Sequence, residues 1–228
     1  MKKIYTLLFS LLSILALNAQ TECKTIAEIK AQPDKTYIKY TGTAKTTFYN
    51  GKGTSSQGLF MEDETGGILL KSYLHSARTE DPYNGTGKGW IQDGMEVTGI
   101  LGTWAKGSSA SMPGITIATA DLEAPSGELT TSGDRFEIIP TRITMAELAE
   151  NLALYDGKAI IVTDANVTQE GTKYYMNNIP YYSSKVSVKT PSKGEFAGIY
   201  VGGDYNRFFL MSAELTKPTA LTILILLF

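Results

Sequence analysis

Two long stretches in which apolar and polar side chains change places residue by residue bound what this chain can fold into. In residues 36–49, Ile38, Tyr40, Gly42, Ala44 and Phe48 fall on one side, and Tyr37, Lys39, Thr41, Thr43 and Lys45 on the other. Residues 158–168 form a second stretch of this kind. A period of two belongs to a strand with one buried face; a helix repeats its apolar positions every three or four residues. Each stretch follows a short amphipathic helix pattern. Residues 25–30 put Ile26 and Ile29 on one side, and residues 143–148 repeat the order of a Thr, then Ala-Glu between apolar residues.

The rest of each half supplies shorter strands. In the first half they are residues 58–62, 68–73, 95–103 and 115–122. Asn50-Gly51 opens a loop that runs to Gln57, and Glu64-Thr65-Gly66-Gly67 reads as a tight turn in which glycine takes positive φ without steric cost. A long loop, 74–90, separates the third strand from the fourth, which Asp93-Gly94 opens. In the second half the strands are 173–176, 186–189, 196–201 and 208–215, with a turn at 202–206. The halves end alike, on Ala120-Asp121-Leu122 and Ala213-Glu214-Leu215. One unit duplicated, with diverged loops, accounts for this order. The expected fold is mainly β: two small β-barrels in tandem, each with a short helix. The first spans 24–123, a Pro/Gly/Ser/Thr-rich linker spans 124–135, and the second spans 136–216. An apolar tail, 217–228, follows Pro218; an extra strand, an aggregation-prone segment or a truncated stub all fit it.

Residues 1–19 read as a signal peptide: Lys2 and Lys3, an apolar run from Ile4 to Leu17, then Ala19 as the cleavage residue. The run is shorter than the roughly 20 residues of a spanning helix. Export is expected, to the periplasm, the cell surface or beyond, with no transmembrane span once the signal is removed. Cys23 is the only cysteine, so no internal disulfide can form. Thr21 and Glu22 before it suit lipid attachment poorly.

The order Thr25-Ile26-Ala27-Glu28-Ile29, a long strand, Leu59-Phe60-Met61-Glu62-Asp63-Glu64-Thr65-Gly66-Gly67-Ile68-Leu69-Leu70, Asp93-Gly94-Met95-Glu96-Val97-Thr98-Gly99-Ile100 and Ala120-Asp121-Leu122 resembles the OB-like domains of exported bacterial proteins. The likeness covers most of 24–123. It is looser over 140–216, where Gly194-Glu195-Phe196-Ala197-Gly198-Ile199 is a partial counterpart. The resemblance implies two tandem OB-like barrels, in a class of domain often found in tandem or beside secreted nucleases. The motif marks a fold and carries no catalytic residues.

Catalytic chemistry has little to draw on. His75 is the only histidine, and no Gly-x-Ser-x-Gly elbow accompanies it. One histidine and one cysteine do not make a usual zinc site. Gly85-Thr86-Gly87-Lys88-Gly89 lacks phosphate-loop spacing. Glu62, Asp63 and Glu64 form a carboxylate cluster, in which only Glu62 and Glu64 share a strand face. A solvated turn is the plain reading of that cluster, and a hydrolase using Glu62 and Glu64 is the sharper alternative. No cofactor is expected.

Aromatic side chains are the remaining candidates. OB barrels hold ligands on the face of strands two and three, framed by the loops between strands one and two and between four and five. The residues expected there are Phe60, Lys71, Tyr73, Trp90 and Trp104, with Tyr49 and Lys52 beside them, and Tyr174, Tyr181 and Tyr182 in the second unit, with Tyr175. Exposed rings stack on bases or sugars, whereas buried rings only pack a core. The formal charge is −2, and both halves are slightly acidic, which tells against a phosphate-binding groove. The sequence therefore leads to an exported non-catalytic binding or scaffold protein. Single-stranded nucleic-acid binding, in company with a secreted nuclease, is the alternative. The partner classes left open are carbohydrate, protein and single-stranded nucleic acid.

Overall fold

A computed structural model of the chain describes residues 20–50, 58–71, 91, 93–117, 129–132, 134–182 and 187–215. The expected signal peptide, the 51–57 loop, the whole 74–90 loop with His75, residues 118–128 and the 217–228 tail lie outside them.

The chain is mainly β and forms two sheets. Strand β1 (Thr21–Cys23) and helix α1 (Ile26–Ala31) lead into β2 (Tyr37–Tyr40) and β3 (Ala44–Asn50). Then come β4 (Gly58–Asp63), β5 (Gly66–Lys71), β6 (Glu96–Thr98), β7 (Ile100–Ala105), β8 (Gly114–Ile117) and the short β9 (Thr130–Thr131). The second part holds β10 (Thr141–Thr144), α2 (Met145–Glu150), α3 (Leu152–Tyr155), β11 (Ala159–Glu170), β12 (Lys173–Met176), β13 (Ile179–Tyr182), β14 (Ser192–Val201) and β15 (Arg207–Leu215).

Both sheets follow the same circuit. In the first, β3 pairs with β4, β4 with β5, β5 in parallel with β8, β8 with β7, and β7 with β2. Because β2 runs on into β3, and β6 pairs with β3 while running on into β7, the ladder returns to its start. In the second, β11 pairs with β12, β12 with β13, β13 in parallel with β15, β15 with β14, and β14 with β11. A parallel strand precedes the helix in each: β1 lies beside β2, and β10 beside β11. Ring closure satisfies the backbone groups that open sheet edges would leave unpaired.

Each ring has its own apolar interior. Ile26, Ile29, Ile38, Tyr40, Leu59, Met61 and Leu70 belong to the first. Leu148, Ile160, Val162, Val167, Phe196 and Phe208 belong to the second. Thr25 caps α1 by accepting from the Glu28 amide, while the Glu28 carboxylate accepts from the Thr25 amide. Thr144 caps α2 through the Glu147 amide.

A third apolar cluster joins the two rings. Phe48, Phe60, Leu69 and Met112 of the first pack with Ala159, Ile199, Val201, Tyr205 and Phe209 of the second. Burying one large apolar side chain contributes roughly 1.5–3 kcal/mol, against about 1 kcal/mol net for a hydrogen bond. The seam therefore supplies most of the docking energy, and polar contacts set its register.

The structure corrects several expectations. Residues 36–49 are two strands parted at 41–43, and a bulge follows: Thr46 faces Met61 and Phe48 faces Phe60, with Thr47 skipped. The extra residue shifts the alternation, so Phe48 joins the seam and not the first interior. Residues 95–103 are likewise split, at Gly99. Part of the expected linker is packed: Leu129 is buried in the first interior and β9 pairs with β6. The 143–148 pattern is the end of β10 followed by α2. Residues 187–189 form no strand. The third strand of that unit is β13, reached through a two-residue turn at Asn177 and Asn178, both at positive φ.

The Glu64–Gly67 turn is corrected most. Gly66 and Gly67 are already strand β5, and neither has positive φ. Gly67 is needed for close approach. A Cβ there would lie 2.0 Å from the Gly157 carbonyl oxygen, and one on Gly157, itself at φ 81, would lie 2.2 Å from that of Gly67. Gly67→Ala is expected to lower stability by about 1–3 kcal/mol, as overpacking does. Denaturant unfolding checks this; an unchanged midpoint would mean the rings are not seated here.

Candidate ligand-binding site

The string from Glu62 to Gly67 builds the junction on which the site depends. Asp63 ends β4 with both oxygens engaged. Its Oδ2 accepts from the Ile26 amide at 2.8 Å and the Tyr40 hydroxyl at 3.2 Å. Its Oδ1 accepts from the Thr65 amide at 2.8 Å, the Thr65 hydroxyl at 2.6 Å and the Gly66 amide at 3.1 Å. Burial, then the Asp63 charge, push the Tyr40 hydroxyl upward, so it stays protonated and donates.

Neighbouring groups cross to the second unit. Glu62 Oε2 accepts from the Ala159 amide at 2.8 Å, at the start of β11. Lys158 Nζ donates to the Glu64 carbonyl at 2.9 Å. The Gly67 amide donates to the Asp156 carbonyl at 2.9 Å. Lys30 Nζ reaches the Asp156 carboxylate at 2.7 Å, whose other oxygen accepts from the Gly202 amide at 2.8 Å. Burial pushes the Glu62 carboxyl up, opposed by the Ala159 amide and by Lys158 and Lys45.

With the junction in place, the expected ligand residues part into two groups. Phe60 and Trp104 are buried, Trp104 to 3 % exposure, so neither offers a free ring face. Both border a small cleft of about 330 Å³ between the units, with Lys30, Leu69, Asp156 and Val201. The buried Trp104 Nε1–H has no hydrogen-bond acceptor among the described residues. Lys71 is 8 % exposed, and burial lowers its ammonium, with Asp34 opposing. Tyr73, Trp90 and Lys52 lie outside the described residues, and Tyr49 is described only as part of strand β3.

Tyr174, Tyr181 and Tyr182 come together. They line a cleft of about 950 Å³ along β12 and β13, with Tyr175; Tyr181 also packs against the second interior, and Tyr182, next to it on the strand, points to the opposite face. The Tyr174 and Tyr181 rings are 5.6 Å apart at 48°. Tyr174 and Tyr182 are 39 % and 45 % exposed. Burial, then Tyr174, push the Tyr181 hydroxyl up, which keeps it neutral.

Sequence reasoning missed the other wall. The β14–β15 loop contributes Asp204, Tyr205 and Asn206, and β15 contributes Arg207. The Arg207 guanidinium carbon lies 4.8 Å from the Tyr205 ring centre, and Tyr205 stacks on Phe209 at 6.0 Å and 3°. The turn at 202–206 was legible. Its place as the loop between fourth and fifth strands was the signal that it borders the same face.

No group of three or more His, Cys, Asp or Glu side chains is placed to hold a metal among the described residues. No helix among them is long and apolar enough to cross a membrane. Comparison with family models, with curated proteins and with solved structures gave no match.

The Glu62 carboxyl gives a pH test. Ionisation is harder in the folded state than in the unfolded chain, so its ionisation costs stability as pH rises from the ordinary 4.5 through the raised value. Glu62→Gln keeps an acceptor for Ala159 and cannot ionise; its stability relative to the native chain should therefore improve from acid to neutral pH. Glu62→Ala leaves the amide unpaired and should cost about 1–3 kcal/mol at both. Thermal melts at the two pH values decide; a relative loss for Glu62→Gln on going to neutral pH contradicts the assignment.

Proposed function

We propose that this chain is a non-catalytic binding protein, exported from a bacterial cytoplasm, in which two OB-like barrels are docked and the second holds a neutral sugar chain. The circuit of pairings supports the OB-like part. Each ring runs first strand to second, second to third, third in parallel to fifth, fifth to fourth, and fourth back to first, the order of a five-stranded Greek-key barrel.

The single observation that carries the binding role is the position of the tyrosine cleft. It lies on the second and third strands, between the first hairpin turn at Thr172 and the fourth-to-fifth-strand loop at 204–206. OB barrels hold ligands there. The first unit's corresponding face is taken up: Phe60 of β4 and Leu69 of β5 are in the seam.

Ligand charge follows from the lining. Lys173 and Arg207 are its cations, and Asp204 partly offsets them. Hydroxyl and amide groups make up most of the rest, and the chain as a whole is acidic. Sugar rings meet these requirements without phosphate neutralisation. Lys173 and Arg207 favour single-stranded nucleic acid as a second reading. The hydrolase reading has least support, because Glu62 is already held by Ala159 and borders the junction.

Calorimetric titration with neutral hexasaccharides of glucose, xylose, mannose and N-acetylglucosamine tests the role. At least one should bind with little salt dependence. Tyr174→Ala and Tyr182→Ala should each weaken it by about five- to 150-fold, taking ring stacking at ~1–3 kcal/mol. Binding of an oligothymidylate that fades with salt, with no sugar bound, would move the assignment to nucleic acid.

A further inference from the structure

We infer that the cleft is a composite site: the first unit closes one side of it with Ser109, so that the sugar chain is gripped between the two units. The inference rests on the binding role proposed above and adds a specificity-determining residue to it.

Ser109 belongs to the β7–β8 connection of the first unit, yet it lines the cleft with Thr172, Tyr174 and Asn206 of the second. It stands on a tight turn. The Ser108 amide donates to the Ser111 carbonyl at 2.7 Å, and the Ser111 amide returns a bond to the Ser108 carbonyl at 3.1 Å. The Ala110 amide donates to Ser108 Oγ at 3.3 Å.

Both ends of that turn are anchored. Before it, the Lys106 amide donates to Asp34 Oδ1 at 2.9 Å. After it, Met112 is fully buried in the seam. The facing wall hangs on the same seam, since Tyr205 lines the cleft and also packs in the shared cluster. One apolar cluster thus fixes the distance between the two walls. A ligand that touches both binds only the docked pair and stabilises docking by mass action.

The rim chemistry points to the same ligand class. Ser109, Thr172, Ser187 and Asn206 surround the tyrosines with uncharged donors and acceptors. A chain of hydroxyl-bearing rings can stack on the tyrosines and bond to both rims at once.

The test uses the full chain and the best hexasaccharide of the panel above. Ser109→Trp fills the rim from an exposed turn tip, so melting should be unchanged while affinity falls about tenfold or more, a loss of at least ~1.4 kcal/mol. The disaccharide of the same sugar should lose less. In the unsubstituted chain, the Ser109 and Ala110 amide resonances should shift on adding the hexasaccharide. If Ser109→Trp binds normally and those amides do not move, while Tyr174→Ala loses affinity, the site belongs to the second unit alone and the inference fails. If no panel sugar binds the unsubstituted chain, the binding role fails with it. Should Ser109→Trp not fold, the amide shifts alone decide.

Discussion

Two glycine backbones in contact hold this architecture in register. At Gly67 and Gly157 the first and second units approach so closely that neither position has room for a Cβ. Around that contact, polar groups are paired across the boundary: Gly67 to Asp156, Ala159 to Glu62, Lys158 to Glu64 and Lys30 to Asp156. Beside it lies the apolar seam from Phe48 to Phe209. The polar contacts contribute less energy than the seam but tolerate less displacement, because each needs its partner within hydrogen-bond distance. Their role is to choose one docked arrangement among the many an apolar face would accept.

Docking divides the work between two rings with the same circuit. In the first, the outward face of β4 and β5 carries Phe60 and Leu69 and is covered by the second unit. In the second, β12 and β13 carry Tyr174, Tyr181 and Tyr182, which line an open cleft. The second and third strands thus help to form the seam in one unit and line a cleft in the other, and side-chain chemistry makes the difference. Phenylalanine and leucine have no polar tip to satisfy and are suited to a dry seam. Tyrosine keeps a hydroxyl for water or ligand while presenting its ring. The Glu62–Gly67 string belongs to this division: a carboxylate cluster next to glycines caps α1, holds β11 and seats the neighbouring unit.

Much of the fold was legible in the residues. Alternation in 36–49 and 158–168 located the long strands, and Ile26 and Ile29 on one side located α1, whose cap the structure adds. What alternation does not record is a change of phase. The bulge at Thr46–Phe48 moves Phe48 to the seam without altering composition. Asn177-Asn178 escaped for a related reason: two asparagines at positive φ form a hairpin turn where glycine is the usual marker. For the site, the tyrosines of β12 and β13 could be named in advance. Trp104 and Phe60 could not be told from surface rings, because Trp104 is buried in the first interior and Phe60 under the neighbouring unit. Ser109 gave no signal at all, since only docking brings it to the cleft.

Docking is measured most directly at the amides it alone protects. The Gly67 and Ala159 N–H groups donate to Asp156 and Glu62 across the boundary. Native-state hydrogen exchange followed residue by residue should find them opening with the same free energy as the amides of buried Leu70 and Val162, because the units then separate only when they unfold. Exchange of Gly67 and Ala159 at rates near those of free peptide, with Leu70 and Val162 still protected, would show two rings joined by the chain alone.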